Sequence, residues 1–188
     1  MSSAMHTCSG LILAGGLSTR MGSDKASLQR NHQTMENFNR GLLAALGLDV
    51  VVAGGSSGIP DLIPRAGPLA AIYSVLHTIK PSALLVLPVD MPLLTTTVLG
   101  ALLEEGEKTG LPVCYEGCYL PLYLPVTQSL QDYLDIAFTE GSDQPRSLKR
   151  MLAALNGRQL PITDADALLN ANTPEEWQQV LQMMDDVD

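Results

Sequence analysis

The sequence predicts an α/β fold with a largely parallel central sheet. The prediction depends on short apolar runs that end in glycine or aspartate, and on the helical patterns that alternate with them as far as Gly110. Such alternation is typical of parallel strands joined by crossover helices. The chain has 188 residues, of which 46% are hydrophobic, so it can bury the core of one domain without disulfides or a structural metal.

Strands and helices alternate in the first part of the chain. Short apolar runs predict three buried strands, at 9–14, 49–55 and 83–90. Apolar residues spaced three and four apart predict three helices, at 35–46, 67–79 and 95–110. Gly47 closes the first helix, and Pro68 stands in the first turn of the second.

The pattern changes after Gly110. Two strands joined by a turn at Glu116-Gly117 are predicted by the stretch LPVCYEGCYLPLYLP, and helices follow around 127–138 and 145–155. The last helix is predicted by Thr173-Pro174-Glu175-Glu176, which fits a capping box with proline at the first helical position. The second part of the chain is therefore expected to extend the sheet with a hairpin and to end in a helix.

Composition and charge exclude several classes of function. The net charge of −9 disfavours nucleic acid and acidic membrane surfaces as partners. No apolar run approaches the roughly 20 residues that span a bilayer, and the first residues lack the pattern of a signal peptide. Three cysteines are too few, and odd in number, for a disulfide framework. We therefore expect a cytoplasmic protein with no membrane or nucleic-acid partner.

The stretch LILAGGLSTRMGSDK, from Leu11 to Lys25, follows the first predicted strand. Glycines allow a backbone to approach a ligand closely and to direct several N–H groups into one concavity, which suits anionic oxygens. Arg20 and Lys25 add positive charge. The stretch matches neither the Walker motif nor the dinucleotide fingerprint. It predicts a phosphate-binding loop; the alternative is a surface turn with charges placed by chance.

Asp90 follows directly on the third predicted strand, in the stretch LPVD. The carboxyl ends of parallel strands meet at one edge of a sheet, so this carboxylate is expected near the glycine-rich loop. Mg²⁺ prefers oxygen ligands and often uses only one or two carboxylates together with substrate phosphates. Asp90 is therefore a candidate magnesium ligand, unless it only caps a turn or the helix that starts near Thr95.

Two further polar segments are candidates for binding. Asp61 follows the second predicted strand and leads into Gly67-Pro68, where a carboxylate would bind a ribose or a base edge. Asn170 and Asn172 precede the last helix, and the capping box does not account for them. Their amides would orient a phosphate, a sugar or a metal-bound water. An ordinary loop at Asp61 and backbone hydrogen bonds in a turn at the asparagines remain the alternatives.

Four stretches resemble the motifs of the molybdenum cofactor guanylyltransferases, within the wider nucleotidyltransferase-like superfamily. They are LAGGLSTRMGSDK, GPLAAI, LPVDMPLL and NANTPEEW, and they fall in the order of the family. The resemblance implies a three-layer Rossmann-like nucleotidyltransferase fold with a mostly parallel central sheet. It also implies a single domain over residues 1–188, with a nucleotide-binding part at about 8–110 and an acceptor-binding part at about 111–188.

The resemblance implies a reaction as well. GMP would pass from GTP to the phosphate of molybdopterin, giving the molybdopterin guanine dinucleotide cofactor and pyrophosphate, with Mg²⁺ as cofactor. Related cytidylyltransferases carry Ala-Ala-Gly where this chain has Ala14-Gly15-Gly16, which favours GTP over CTP. Transient contact with molybdoenzymes or with other proteins of cofactor biosynthesis would follow the reaction.

The family's residue roles pass to matching positions only. Backbone groups would contact guanine and the nucleotide at Leu13, Ala14, Gly15 and Gly16. Lys25 would hold the triphosphate, and Asp61 would bind the nucleoside. Independently of the family, the positive charge of Arg20 would help to offset that of the phosphates. Asp90 would ligate Mg²⁺ and meet the nucleotide. The remaining pair would position the acceptor or the metal, namely Asn170 and Asn172.

Two other functions remain open from the sequence. One is a related nucleotidyltransferase that uses another base, such as that of CTP, or another acceptor, such as a sugar phosphate. The second is a protein that binds nucleotide or molybdopterin without catalysis. The first of these would release pyrophosphate from a different pair of substrates, and the second would release none.

Overall fold

A six-stranded sheet lies at the centre of the computed structural model, which describes residues 8–15, 28–30, 32–55 and 58–185. In chain order the strands are β1 (Cys8–Leu13), β2 (Gln29–Arg30), β3 (Gln33–Thr34), β4 (Asp49–Ala53), β5 (Ala83–Pro88), β6 (Val113–Tyr115), β7 (Cys118–Pro125) and β8 (Arg158–Leu160). The helices are α1 (Met35–Ala45), α2 (Pro68–Thr78), α3 (Thr96–Thr109), α4 (Gln128–Phe138), α5 (Leu148–Ala154) and α6 (Pro174–Asp185). A 3₁₀ turn covers Asp166–Leu168.

The strand order of the sheet is β4-β1-β5-β7-β6-β8, and β2 pairs with β3 in a separate ribbon. β1 is parallel to both β4 and β5. β7 runs antiparallel to both β5 and β6, and β8 is parallel to β6. The alternating first part of the chain thus forms the parallel part of the sheet, and the predicted hairpin extends it. The predicted α/β class with a mostly parallel central sheet is confirmed.

The central strands are buried on both faces, which gives the molecule three layers. Leu11 and Val86 pack in a cluster with α2, α4 and α5, whereas Ile12 and Leu87 pack in a cluster with α1 and α3. Successive side chains of a strand point to opposite faces of its sheet, so a strand covered on both sides must be apolar throughout. This burial explains why the central strands are continuous apolar runs in the sequence.

Hydroxyl side chains cap the first turns of several helices, where backbone N–H groups lack partners within the helix. The caps are Thr34 on α1, Thr95 on α3, Thr127 on α4 and Ser147 on α5. The cap at Ser147 explains why α5 begins at Leu148, later than the predicted start of the segment 145–155. None of the helices in the described ranges is long and apolar enough to cross a membrane.

The sequence patterns did not predict β2, β3 or β8. β2 and β3 have two residues each, and β8 has three, with Arg158 and Gln159 exposed. A strand that short at the edge of a sheet has no apolar repeat to detect, because its pairing partner determines it more than its own side chains do.

A third apolar cluster joins the end of the chain to α1. Met35 and Phe38 of α1 pack there with Ala171, Trp177 and Val180. The last two of these lie on the buried face of α6. This cluster holds the segment before α6 against the edge of the sheet where β5 ends.

Candidate active site

A cavity of about 430 Å³ opens at the carboxyl ends of β1 and β5. Ligands of open α/β sheets bind outside this edge. Four separate segments of the chain contribute to it, with single contacts from two helices. The lining residues are Leu13, Ala14 and Gly15; Pro88, Val89, Asp90 and Met91; Gly117, Cys118, Tyr119 and Leu120; Asn170 and Asn172; and Pro68 and Leu148.

Most of the predicted site residues that the structure describes share this cavity. They are Leu13, Ala14, Gly15, Asp90, Asn170 and Asn172. Asp61 is not among the lining residues but lies beside Gly15, since its Oδ2 is 3.8 Å from the position of a Cβ built on that glycine. Three further predicted residues, Gly16, Arg20 and Lys25, lie outside the described residues.

The turn after β1 is fastened to β4 by its own backbone. The N–H groups of Ala14 and Gly15 both donate to the carbonyl of Ala53, at 2.9 and 3.2 Å. The glycine-rich stretch was predicted to direct N–H groups into the cavity, but these two are already engaged with the sheet. An anion would reach them only by breaking those hydrogen bonds.

Glycines at the ends of β1 and β4 allow the two backbones to touch. A Cβ on Gly54 would lie 2.5 Å from Cα of Gly15 and 2.6 Å from its nitrogen. Gly54 also has a φ of +78°, in the left-handed region that favours glycine. Gly54 is therefore required by backbone packing beneath the cavity, and not by contact with a ligand.

The segment after β4 is held against α2 by a buried serine. Ser74 accepts a hydrogen bond from the N–H of Leu62 at 2.9 Å and donates one to the carbonyl of Ala70 at 2.7 Å. The neighbouring residue, Asp61, is partly buried, and its Oδ1 lacks a hydrogen-bond partner among the described residues. Burial raises the pKa of this carboxyl above its ordinary value.

Asp90 lies in a short loop after β5 and is partly buried. Its carbonyl accepts a hydrogen bond from the N–H of Ala171 at 2.8 Å, so the loop is bonded directly to the segment that carries the two asparagines. This bond brings Asp90 beside Asn170 and Asn172, which are about eighty positions away along the chain. The sequence places these groups apart, and the sheet edge brings them together.

The predicted capping box orients the asparagine segment. Thr173 Oγ1 accepts from the N–H of Glu176 at 3.2 Å, and Glu176 Oε2 accepts from the N–H groups of Asn172 and Thr173 at 2.6 and 3.1 Å. Ala171 is buried between Asn170 and Asn172, both of which line the cavity. The small buried residue thus holds the segment down, while the two amides lie at the cavity wall.

The donor set of the cavity suits one hard cation better than a transition metal. The described ranges contain no cluster of three or more His, Cys, Asp and Glu side chains that would hold a metal ion. Asp90 with two neighbouring amides fits Mg²⁺, which retains waters and binds substrate phosphates. The thiol of Cys118 also lines the cavity, but it donates to the carbonyl of Leu120 at 2.7 Å, and burial raises its pKa. A neutral thiol of this kind is a poor nucleophile and a poor metal ligand.

Sequence patterns missed two groups of residues at this site. Gly117 and the start of β7, as far as Leu120, form a wall because β7 lies next to β5, which no local pattern reveals. Asn39 donates from Nδ2 to the carbonyl of Pro88 at 3.3 Å, beneath the cavity. The signal was present, because Asn39 interrupts the apolar face of α1 next to Phe38.

Comparisons with known proteins identify the family and the fold of this chain. Residues 10–160 match the family model of the MobA-like NTP transferase domain. A molybdenum cofactor guanylyltransferase of Xanthomonas euvesicatoria pv. vesicatoria is 34% identical over 179 residues, which cover 92% of this chain and 93% of that protein. A protein of the same name from Polynucleobacter asymbioticus is 30% identical and covers 89% and 92% of the two chains.

Solved structures show the same fold. Molybdopterin-guanine dinucleotide biosynthesis protein A from Archaeoglobus fulgidus superposes with a TM-score of 0.66 at 21% identity, over 95% of this chain and 99% of that one. The 2-C-methyl-D-erythritol 4-phosphate cytidylyltransferase from Thermus thermophilus gives 0.65 at 18%, over 94% and 98%. The predicted family is confirmed: the chain belongs to the molybdenum cofactor guanylyltransferases, a group of the MobA-like NTP transferases.

Proposed function

We propose that this chain transfers GMP from GTP to the phosphate of molybdopterin, giving the guanine dinucleotide cofactor and pyrophosphate. The observation that carries the proposal is the single cavity at the ends of β1 and β5, into which the glycine turn, the Asp90 loop and the asparagine segment all converge. Membership of the guanylyltransferase family supports the choice of substrates.

The chemistry requires charge compensation more than a reactive side chain. The acceptor phosphate attacks the α-phosphate of GTP, the bond between the α- and β-phosphates breaks, and pyrophosphate leaves in line. Both reactants are anions, and the chain itself carries a net charge of −9, so cationic groups must offset repulsion locally. Lys25 and Arg20 are proposed for this role from the sequence alone.

Asp90 is the proposed magnesium ligand of the cavity. When bound, Mg²⁺ would supply positive charge to the phosphates and align them. Asp90 would hold it by its carboxylate. Asn170 and Asn172 would hold the acceptor phosphate or metal-bound water beside Asp90, because their backbone is bonded to the Asp90 loop and to α6.

The nucleoside is proposed to lie at Leu13, Ala14 and Gly15, against Asp61. The unpartnered Oδ1 of Asp61 would accept a hydrogen bond from a ribose hydroxyl or from a base N–H. A Cβ on Gly15 would lie 3.8 Å from Oδ2 of Asp61 and 3.6 Å from Gly54 Cα, which are ordinary contacts. The fold would therefore accept a Cβ at this position, so glycine here leaves space beside the carboxylate that a nucleoside would occupy.

The acceptor is proposed to lie at the other end of the cavity. The residues that β7 and α5 contribute to the lining include Tyr119, Leu120 and Leu148. A flat heteroaromatic ring such as a pterin is compatible with an aromatic and aliphatic wall. A lining that combines Asp90 and the asparagine amides with these apolar side chains suits a substrate pair of one nucleotide and one pterin phosphate.

Location and onward transfer belong to the same proposal. All three cysteines, Cys8, Cys114 and Cys118, are free thiols, which supports a reducing cytoplasm. The dinucleotide product would leave by transient contact with a molybdoenzyme or with another protein of cofactor biosynthesis.

An assay of pyrophosphate release with GTP, Mg²⁺ and molybdopterin tests the function. We expect release with GTP that exceeds release with CTP or ATP, and formation of the dinucleotide in equal amount. Binding of GTP without pyrophosphate would support a non-catalytic protein instead. Release with a sugar phosphate, but not with molybdopterin, would identify a different acceptor and overturn the proposal.

Asp90→Asn is expected to lower kcat by about a hundredfold or more, because an amide neither carries the charge nor binds Mg²⁺ as tightly as a carboxylate. The variant is measured in the same assay over a range of Mg²⁺ concentrations, with folding checked by circular dichroism. Asp132→Asn on α4 removes an exposed charge far from the cavity and serves as the control. Unchanged turnover of Asp90→Asn would remove Asp90 from the site.

A further inference from the structure

Asn39 is a polar residue in a position where an apolar one would be expected. It lies in the middle of α1, it is completely buried, and its neighbours Met35, Phe38 and Leu43 are buried apolar side chains of the same helix. Burying a carboxamide costs free energy unless all of its polar atoms find partners. The fold alone therefore gives no reason for an asparagine here.

The hydrogen bonds of Asn39 are only half satisfied. Nδ2 donates to the carbonyl of Pro88 at 3.3 Å, but Oδ1 is buried without a partner in the described part of the chain. Only the amide nitrogen can donate to a carbonyl, so this contact fixes the orientation of the group. The stabilisation that one net hydrogen bond contributes is cancelled by the cost of a buried unsatisfied acceptor. Asn39 thus adds little or nothing to stability.

Pro88 is the last residue of β5, and Asp90 follows it by two positions. A second side chain binds the backbone on the C-terminal side of Asp90, because Nε of Arg30 donates to the carbonyl of Pro92 at 2.6 Å. The guanidinium of Arg30 also lies 4.1 Å from the ring centroid of Phe38, the residue next to Asn39. Both donors are therefore fixed to the first two turns of α1.

The carbonyl of Asp90 itself accepts from the N–H of Ala171. The carbonyls of Pro88, Asp90 and Pro92 thus each accept a hydrogen bond from a donor in another segment of the chain. A loop held at three points cannot rotate its central residue freely. Neither Asn39 nor Arg30 is among the residues that line the cavity.

We propose that Asn39 and Arg30 are positioning residues, which hold the backbone on both sides of Asp90 so that its carboxylate keeps the orientation needed for the metal and nucleotide. The inference rests on the proposed function, since it assumes that Asp90 is the magnesium ligand. Partners behind a metal ligand typically change metal affinity by tenfold to a hundredfold when they are removed, about the range expected here.

The test compares metal binding with stability. Asn39→Leu replaces the carboxamide with an apolar side chain of similar size, and Arg30→Met keeps the aliphatic contact with Phe38 but removes the donor. Nucleotide-dependent Mn²⁺ binding, followed by electron paramagnetic resonance in the presence of GTP, is measured together with Tm. We expect the Mn²⁺ Kd to rise about tenfold in each variant, with Tm unchanged or higher in Asn39→Leu.

Asn37→Leu is the matched control, because it makes the same chemical change on the same helix at an exposed position. It is expected to leave both Mn²⁺ affinity and Tm unchanged. A lower Tm of Asn39→Leu, with Mn²⁺ affinity unchanged in both it and Arg30→Met, would show a merely structural role and overturn the inference. If Asn39→Leu fails to fold, Arg30→Met decides the outcome by the same measurement.

Asp90→Asn separates this inference from the proposed function. Loss of Mn²⁺ binding in Asp90→Asn, with normal binding in the other two variants, would overturn the positioning role and leave the proposed function intact. Normal Mn²⁺ binding in Asp90→Asn would instead overturn the metal site on which both depend.

Discussion

Asp61 places one oxygen of an acidic side chain where no described partner reaches it, next to the glycine turn after β1. Burial of this kind disfavours the ionised form, which is why the pKa of the carboxyl is raised. A bound nucleoside would supply the missing donor. In the free protein, the buried oxygen of Asp61 therefore costs free energy, and a hydrogen bond from the bound substrate would reduce that cost.

Asp61→Asn is expected to stabilise the free protein by about 1 kcal/mol at neutral pH, because a neutral amide is less costly to bury than a carboxylate. A carboxyl with a raised pKa in the folded state favours folding while it is protonated, and this contribution is lost as the pH rises through that raised pKa. The gain of the variant should therefore be absent below 3.8, the ordinary pKa, and appear at higher pH. Urea unfolding of both proteins as a function of pH measures it.

The same substitution should weaken GTP binding, seen as a smaller rise of Tm with added GTP. Asp49→Asn, an exposed acidic residue at the start of β4, is the control for a simple loss of charge. An Asp61→Asn variant that is less stable at neutral pH, or that binds GTP normally, would contradict the role given to this oxygen.

At the scale of elements, the site depends on junctions between strand ends. The turn after β1 lies directly on the turn after β4, and the segment before α6 is bonded to the loop after β5. In both places the backbone of one element supports the cavity-lining residues of another. Substitutions of residues that support the cavity lining should therefore change substrate binding.

Gly54→Ala is expected to lower both stability and GTP affinity. Alanine at this position would have to keep the left-handed backbone conformation, which is unfavourable for a residue with a Cβ. Its Cβ would also collide with Gly15. Gly47→Ala provides a matched control, since Gly47 has a similar φ of +74° with nothing within 4 Å of its Cβ position. We expect the control to lose about 1 to 2 kcal/mol of stability with normal GTP binding. Equal effects of both variants on GTP affinity would show that the Gly15 contact is irrelevant.

Glu176→Ala is expected to lower kcat/KM for the acceptor, because the N–H groups of Asn172 and Thr173 lose their common partner. Loss of a capping interaction should also cost about 1 kcal/mol of stability. Glu175→Ala removes an exposed acid from the same turn of α6 and is expected to change little. The comparison is made with pyrophosphate release at saturating GTP, and equal kinetics of the two variants would refute the link.

Local patterns predict those elements whose own side chains determine them. The sheet is largely covered on both faces, so its strands β1, β4 and β5 are continuous apolar runs in the sequence. The start of α6 is predicted by the residues of its capping box. The edge strand β8 has no such pattern. The position of β7 beside β5 depends on pairing between distant segments, so the cavity wall at Gly117–Leu120 could not be predicted.

At the scale of the whole molecule, two apolar clusters cover the faces of the sheet, and the cavity lies at the carboxyl ends of its strands. Candidate residues at those ends could be predicted because parallel strands deliver their last residues to one edge. The contacts that hold them could not be predicted. Asn39 is visible in the sequence as a polar residue on the apolar face of α1, but the partners of Asn39 and Arg30 are carbonyl groups that carry no sequence signature.

The hydrogen bond between Ala171 and Asp90 joins two segments that the ribosome makes at different times. The strands that bear the glycine turn and Asp90 are made first, and the wall formed by positions 170 and 172 follows about eighty residues after Asp90. A nascent chain that had already folded its first part would still lack one side of the cavity. A complete cavity would then form only when the asparagine segment has been made, so that translation products that stop before it would lack this wall.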